Sequence, residues 1–207
     1  ELLSAANVRT INMGDLLDNW PTGGRLGKKH LHTAMTRQEA MALARWFIRD
    51  SGVRFDAHIF GNHDEWPGDD YGILLQQWAR DAGSRFVPWG VNITYQAGDF
   101  SFRVQAHHDF TGHSMHNPLH GLMRRAREEG LCDLYVAGHR HTAAKGSEEN
   151  GHRKRHYHFV RVRGYKRDDE YAFVKGYGEQ AEGHSAIAVI NPHAETKEGV
   201  CRTFGDI

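Results

Sequence analysis

A chain of 207 residues has the length of one large domain, and none of its apolar runs nears the ~18–20 residues that a membrane span needs. Lys plus Arg and Asp plus Glu both number 26, so net charge selects no class of partner, while 39% apolar and 25% charged residues exclude a disordered chain. Cys132 and Cys201 lack metal-ligand spacing and read as reduced, buried thiols; with no charged-then-apolar leader, the expectation is a soluble cytoplasmic protein with no membrane partner.

In chain order, Val8–Met13 reads as a short strand that ends in Gly14-Asp15. A Gly- and Lys-rich loop follows from Asn19 to Thr33. Thr36 with Glu39 forms a capping box, and the helix it opens carries Met41, Leu43, Ala44, Phe47 and Ile48 to a stop near Gly52. Phe55–Phe60 is a strand ending in Gly61-Asn62-His63-Asp64, and Tyr71–Ala82 is a helix closed by Gly83. Val91–Gln96 and Phe100–His108 read as antiparallel strands about Gly98. A helix over Leu119–Glu129 and a strand over Leu131–Ala137 come next. Further strands are expected at Tyr157–Val162, Tyr171–Val174, Ala186–Ile190 and Gly199–Phe204. Alternating strands and amphipathic helices define an α/β chain, here a single domain over residues 1–207.

Histidine is in excess, 16 residues, and it is the commonest metal ligand at neutral pH. Four short motifs each follow an apolar strand: Gly14-Asp15-Leu16-Leu17-Asp18, Gly61-Asn62-His63-Asp64, His107-His108 and Gly138-His139-Arg140-His141. Any one of them alone reads as a turn or an edge-strand accident. Together, at the C-terminal ends of strands where open α/β sheets place their sites, they point to metal. Carboxylate, amide and imidazole ligands suit Mn, Fe, Zn, Ni or Co.

This ordered set resembles the calcineurin-like metallophosphoesterases, whose pattern is D-x-H, G-D-x-x-D, G-N-H-D/E, a histidine after a strand, and G-H-x-H. Four of the five motifs are present, over residues 14–141. The resemblance implies a four-layer α/β/β/α sandwich and a metal-dependent hydrolase of phosphoester bonds holding two divalent ions, manganese foremost. It implies that Asp15 bridges the ions, that Asn62, His108 and His139 complete one site, and that His141 joins the other. It also implies that His63 protonates the leaving oxygen and that Asp64 orients His63, with Asp18 in support. His108 is preferred to His107 because it continues the apolar row Phe102, Val104, Ala106.

The D-x-H motif and its strand are absent, since Glu1–Ala6 already reads as the helix that follows them. The expectation is an N-terminally truncated domain with one complete ion site, unless His30, His32 or His113 substitutes. The histidine-rich loop 113–121 is expected to rim the site. Residues 152–167 hold ten Lys, Arg and His interleaved with Tyr157, Phe159 and Tyr165, which suggests a strand tracking DNA, RNA or a nucleotide, or else a charged edge strand. A small-molecule phosphatase or phosphodiesterase of the same fold, and a non-catalytic scaffold with one metal, are the alternatives.

Overall fold

Two stretches of chain separately build sheets whose strand ends carry the motifs, in units spanning Glu1–Gly90 and Val91–Ile207. The computed structural model describes residues 7–20, 23, 35–66, 70–151, 154–165, 185–196 and 198–204. The expected leading helix, most of the Gly- and Lys-rich loop with His30 and His32, and the expected strand at 171–174 lie outside the described residues.

In the first unit, β1 (Thr10–Asn12), β2 (Phe55–Phe60) and β3 (Arg85–Pro88) form a sheet in the order β1-β2-β3, with both pairs parallel. Parallel pairing puts the C-terminal ends of β1 and β2 on one edge, where Gly14-Asp15 and Gly61-Asn62-His63-Asp64 follow directly. Thr36 and Glu39 cap α1 (Arg37–Arg45) reciprocally, as the capping box requires. The helix widens into a π turn over Trp46–Asp50 and ends at Gly52, whose φ of 76° suits a residue without Cβ. A one-turn helix, α2 (Asn62–Glu65), precedes α3 (Tyr71–Asp81). Ala44, Ile48, Tyr71, Leu75 and Ala79 bury the faces of these helices against Phe60 and Phe86 of the sheet.

The second unit holds β4 (Gly90–Ala97), β5 (Phe100–His107), β6 (Leu134–Ala137), β7 (Ala144–Asn150) and β8 (Arg155–Arg161), in the order β4-β5-β6-β8-β7. Pairs β5/β6 and β6/β8 are parallel and β7/β8 is antiparallel. A hairpin-like pair, β9 (Ile187–Ile190) and β10 (Cys201–Phe204), is antiparallel. Helix α4 (His120–Glu128) packs on β6 and β8, burying Leu122 and Ala126 against Tyr135, Ala137, Tyr157 and Phe159. The mixed α/β class read from the sequence therefore holds. No described helix is long and apolar enough to cross a membrane.

Three elements carried no readable signal. Strand β7 (AKGSEEN) lacks an apolar alternation because it is a polar edge strand, tied to α4 by Arg127 and Glu148. Strand β3 is four residues long and ends at Pro88, as edge strands tolerate. Helix α2 is a single turn, too short for any period.

The basic stretch needs a larger correction. It forms β8, which lies between β6 and β7 rather than at an edge, and Tyr157, Phe159 and Arg161 are all buried. Tyr157 and Phe159 fill the core under α4, so these two rings are not stacking platforms for bases, whereas Tyr165, past the end of the strand, is exposed.

One buried histidine makes stability depend on pH. His58 on β2 is 1% exposed, and burial pulls its imidazole from 6.5 down to about 4. The folded chain thus binds this proton more weakly than the unfolded chain. Stability from the neutral ring is complete above pH 6.5 and is lost as pH falls toward 4, about 3 kcal/mol in all. Urea unfolding in steps across that range should show this loss. A His58→Asn variant should lose stability less steeply over the same steps.

Candidate metal centre

At the strand edge of the first unit, the loop after β1 turns sharply. Gly14 has φ of 93° and Asp15 has φ of 53°, a left-handed conformation that few non-glycine residues adopt. What holds it is the buried Asp64 carboxylate. Its Oδ2 accepts the main-chain N–H of Asp15 at 2.9 Å and of Gly61 at 3.0 Å, joining the loops that follow β1 and β2. Asp15 reciprocates, with Oδ1 accepting the His63 N–H at 2.9 Å. Asn62 sits between these contacts as the first residue of α2.

The His63 ring is fixed from three sides. Its Nδ1 hydrogen-bonds the Asp18 carbonyl, and its Nε2 faces Asp15 Oδ2 at 4.0 Å. Trp66 lies against the ring with centroids 4.0 Å apart, and Trp20 meets it edge-on at 4.9 Å. Asp64 reaches the main chain of both loops, and the Asp18 carbonyl meets the His63 ring. A backbone carbonyl orients an imidazole as well as a carboxylate does.

In the second unit, His108 and His139 come together at the ends of β5 and β6. His108 is 1% exposed and continues the buried row of Phe102, Val104 and Ala106, as strand period implied. Gly138 N–H donates to the His108 carbonyl at 3.1 Å, and His108 Nε2 lies 3.1 Å from His139 Nδ1. His139 and His141 have φ of 65° and 52°, so this loop too is held in a left-handed conformation. His141 is half-buried, and Gly164 comes so close to its ring that a Cβ there would stand 3.2 Å away. His107 turns elsewhere: its Nδ1 bonds the Asp109 carbonyl at 2.7 Å, and burial lowers its pKa. In the loop 113–121, His113, His116 and His120 are exposed, with the His120 ring bonded to the Gly112 carbonyl.

Sequence reasoning missed the residues that hold this loop. Arg161, 3% exposed at the end of β8, donates to the Gly138 carbonyl at 2.9 Å, the Pro118 carbonyl at 2.8 Å and Asp109 Oδ1 at 3.1 Å. Arg140, inside the last motif, donates to Asp109 Oδ2 at 2.8 Å. Burial works to raise the Asp109 carboxyl, but Arg161 and then Arg140 outweigh it and keep it below its ordinary value. The signal lay in Arg161 ending an apolar row of β8, hidden by the cations around it.

No protein-family model and no curated protein matches the chain. Among solved structures, it is similar to a conserved protein from Streptococcus pneumoniae TIGR4 described as a predicted phosphoesterase, at 16% identity over 80% of this chain and 91% of that one, with a TM-score of 0.37. It is also similar to wild-type Vps29 complexed with zinc from Entamoeba histolytica, at 10% identity over 96% and 97% of the two chains, with a TM-score of 0.44. Vacuolar Protein Sorting 29 from Cryptosporidium parvum gives 12% identity over 96% and 95%, with a TM-score of 0.43. A likeness at this level assigns no residue a role.

Arg161 gives a direct test of the second loop. Arg161→Met should destabilise the chain by about 3–5 kcal/mol in urea unfolding, because Asp109 loses its buried partner and two carbonyls lose a donor. Arg161→Lys should recover only part of this, since one ammonium cannot reproduce the planar fork.

Proposed function

We propose that the chain is a metal-dependent hydrolase of phosphoester bonds. In this reading Asp15, Asn62, His108 and His139 would hold one divalent ion, and His141 with Asp15 would serve a second. The observation that carries it is the pair of imidazole nitrogens, His108 Nε2 and His139 Nδ1, 3.1 Å apart. Adjacent ligands of one ion with metal–nitrogen bonds of ~2.0–2.1 Å stand about 3.0–3.4 Å apart, so the pair has ligand spacing. Left-handed backbone at Asp15, His139 and His141 supports the same reading, because such strain collects at functional sites.

A divalent transition ion supplies the charge neutralisation that phosphoryl transfer needs, and its donor set here favours Mn, Zn, Fe, Ni or Co. The protein's own part falls to His63. With Nδ1–H given to the Asp18 carbonyl, the proton it can deliver to a leaving oxygen sits on Nε2, the nitrogen that faces Asp15. Trp20 and Trp66 keep the ring from turning. We place small phosphomonoesters or phosphodiesters ahead of nucleic acid as substrates, because β8 is interior.

The test pairs metal content with turnover of p-nitrophenyl phosphate and bis-p-nitrophenyl phosphate in Mn²⁺. His63→Ala should keep the metal and lose about 10²–10⁴-fold in turnover. His139→Ala should lose the metal as well. Bound metal without hydrolysis of either ester would leave a metal-binding scaffold as the reading, and loss of metal in His63→Ala would make His63 a ligand.

A further inference from the structure

The Asp15 loop rests on a second support, on the side away from Asp64. Asn12 is the last residue of β1 and stands in register with His58 of β2. Its side-chain amide faces two ways. Oδ1 accepts the Gly14 N–H at 3.2 Å, and Nδ2 lies 3.2 Å from His58 Nδ1. The first contact determines the second. Gly14 offers only an N–H, so the oxygen of the amide must face it, and the NH₂ must then face His58. An NH₂ group can only donate, so His58 Nδ1 must accept, and the ring carries its proton on Nε2.

That nitrogen is buried and has no hydrogen-bond partner among the described residues. Leaving a buried N–H unmet costs about 1–3 kcal/mol, so a histidine in this sheet is a poor choice for packing alone. What it contributes is a partner at Nδ1 for the Asn12 amide. The ring is held for that purpose by burial and by Phe55, whose ring centroid is 4.4 Å away.

We propose that Asn12 is a positioning residue for the Asp15 carboxylate, holding the Gly14 N–H while buried His58 pairs with the other side of its amide. Gly14 at φ of 93° and Asp15 at φ of 53° form a turn with two main-chain N–H groups to satisfy. Asp64 takes the Asp15 N–H and Asn12 takes the Gly14 N–H. With both met, the direction of the Asp15 side chain follows from the backbone. A wrong amide rotamer at Asn12 would aim an NH₂ at the Gly14 N–H and release the turn. His58 can meet either rotamer by changing tautomer, so it is the Gly14 N–H that selects the amide orientation.

The inference rests on the reading of Asp15 as a metal ligand, so its test uses two readouts on the full chain: Mn²⁺ affinity by calorimetry, and hydrogen exchange at the Gly14 amide. Asn12→Leu should weaken Mn²⁺ binding about tenfold or more, as loss of an outer support does elsewhere. It should also speed Gly14 exchange about tenfold, the change expected from one ordinary hydrogen bond. Asn12→Asp keeps an acceptor for Gly14 and should restore both readouts, which separates positioning from a failure to fold. His58→Leu keeps Asn12 and its bond to Gly14, so both readouts should stay nearer the wild type than in Asn12→Leu. If Asn12→Leu binds Mn²⁺ as the wild type does while Asp15→Ala does not, the proposal is overturned and the metal reading stands. If Asp15→Ala leaves Mn²⁺ affinity unchanged, the metal reading fails and takes this inference with it.

Discussion

One carboxylate oxygen organises the first unit. Asp64 Oδ2 gathers the N–H groups of Gly61 and Asp15 from loops that follow two different strands. The second unit uses the opposite charge for the same task. Arg161 gathers the carbonyls of Gly138 and Pro118 and is itself balanced by Asp109. Both groups are buried, so each bond is made in a medium where it is strong and where its loss leaves a charge uncompensated. The magnitudes fit. A residue in a disfavoured backbone region costs roughly 1–3 kcal/mol, and a hydrogen bond to a charged group contributes about 1.5–3 kcal/mol. One bond to Asp64 therefore offsets the strain at Asp15 while a second ties in Gly61, and the Arg161 bond to the Gly138 carbonyl steadies the segment that carries His139 and His141.

What the sequence made legible follows from this division. The motif residues could be read because ligand types recur at strand ends, and a strand end is marked by where an apolar row stops. The period of two separated His108 from His107, and burial of the row through Phe102, Val104 and Ala106 agrees with it. The α/β class and most elements followed from capping and apolar patterning. The clamps were harder to see because they work on main-chain atoms, and a main-chain partner leaves no trace in residue type. Arg161 reads as one more surface cation, Asn12 as the end of a strand, and Asp64 as a partner for the histidine beside it. Strand β7 was invisible for the related reason that an edge strand carries charge where a central strand carries a pattern.

The excess of histidine, the first anomaly of the sequence, resolves into different jobs. His113, His116 and His120 are exposed loop residues. His58 is a buried, neutral acceptor within a sheet, and His107 is bonded to the carbonyl two residues on. His108 and His139 bring ring nitrogens to ligand spacing, and His63 is packed between two tryptophans. Abundance thus says little about metal, whereas the partner of each ring nitrogen says a great deal. The tautomer each ring must adopt follows from that partner.

Holding the loops by protein groups has a consequence for binding. If an ion itself bent Asp15 and His139 into place, its binding energy would be spent on ordering two loops in left-handed backbone. Because Asp64, Asn12 and Arg161 already hold those turns, the ordering cost falls on folding instead. The cost is moderate there, since the clamps are built into sheets that the two cores stabilise anyway. Side chains whose backbone is fixed also keep their directions when charge nearby shifts, so their groups need not reorganise. The strain in these loops is therefore the means by which the strand ends present side chains outward in fixed directions, and the two buried charges are what allow the strain to persist.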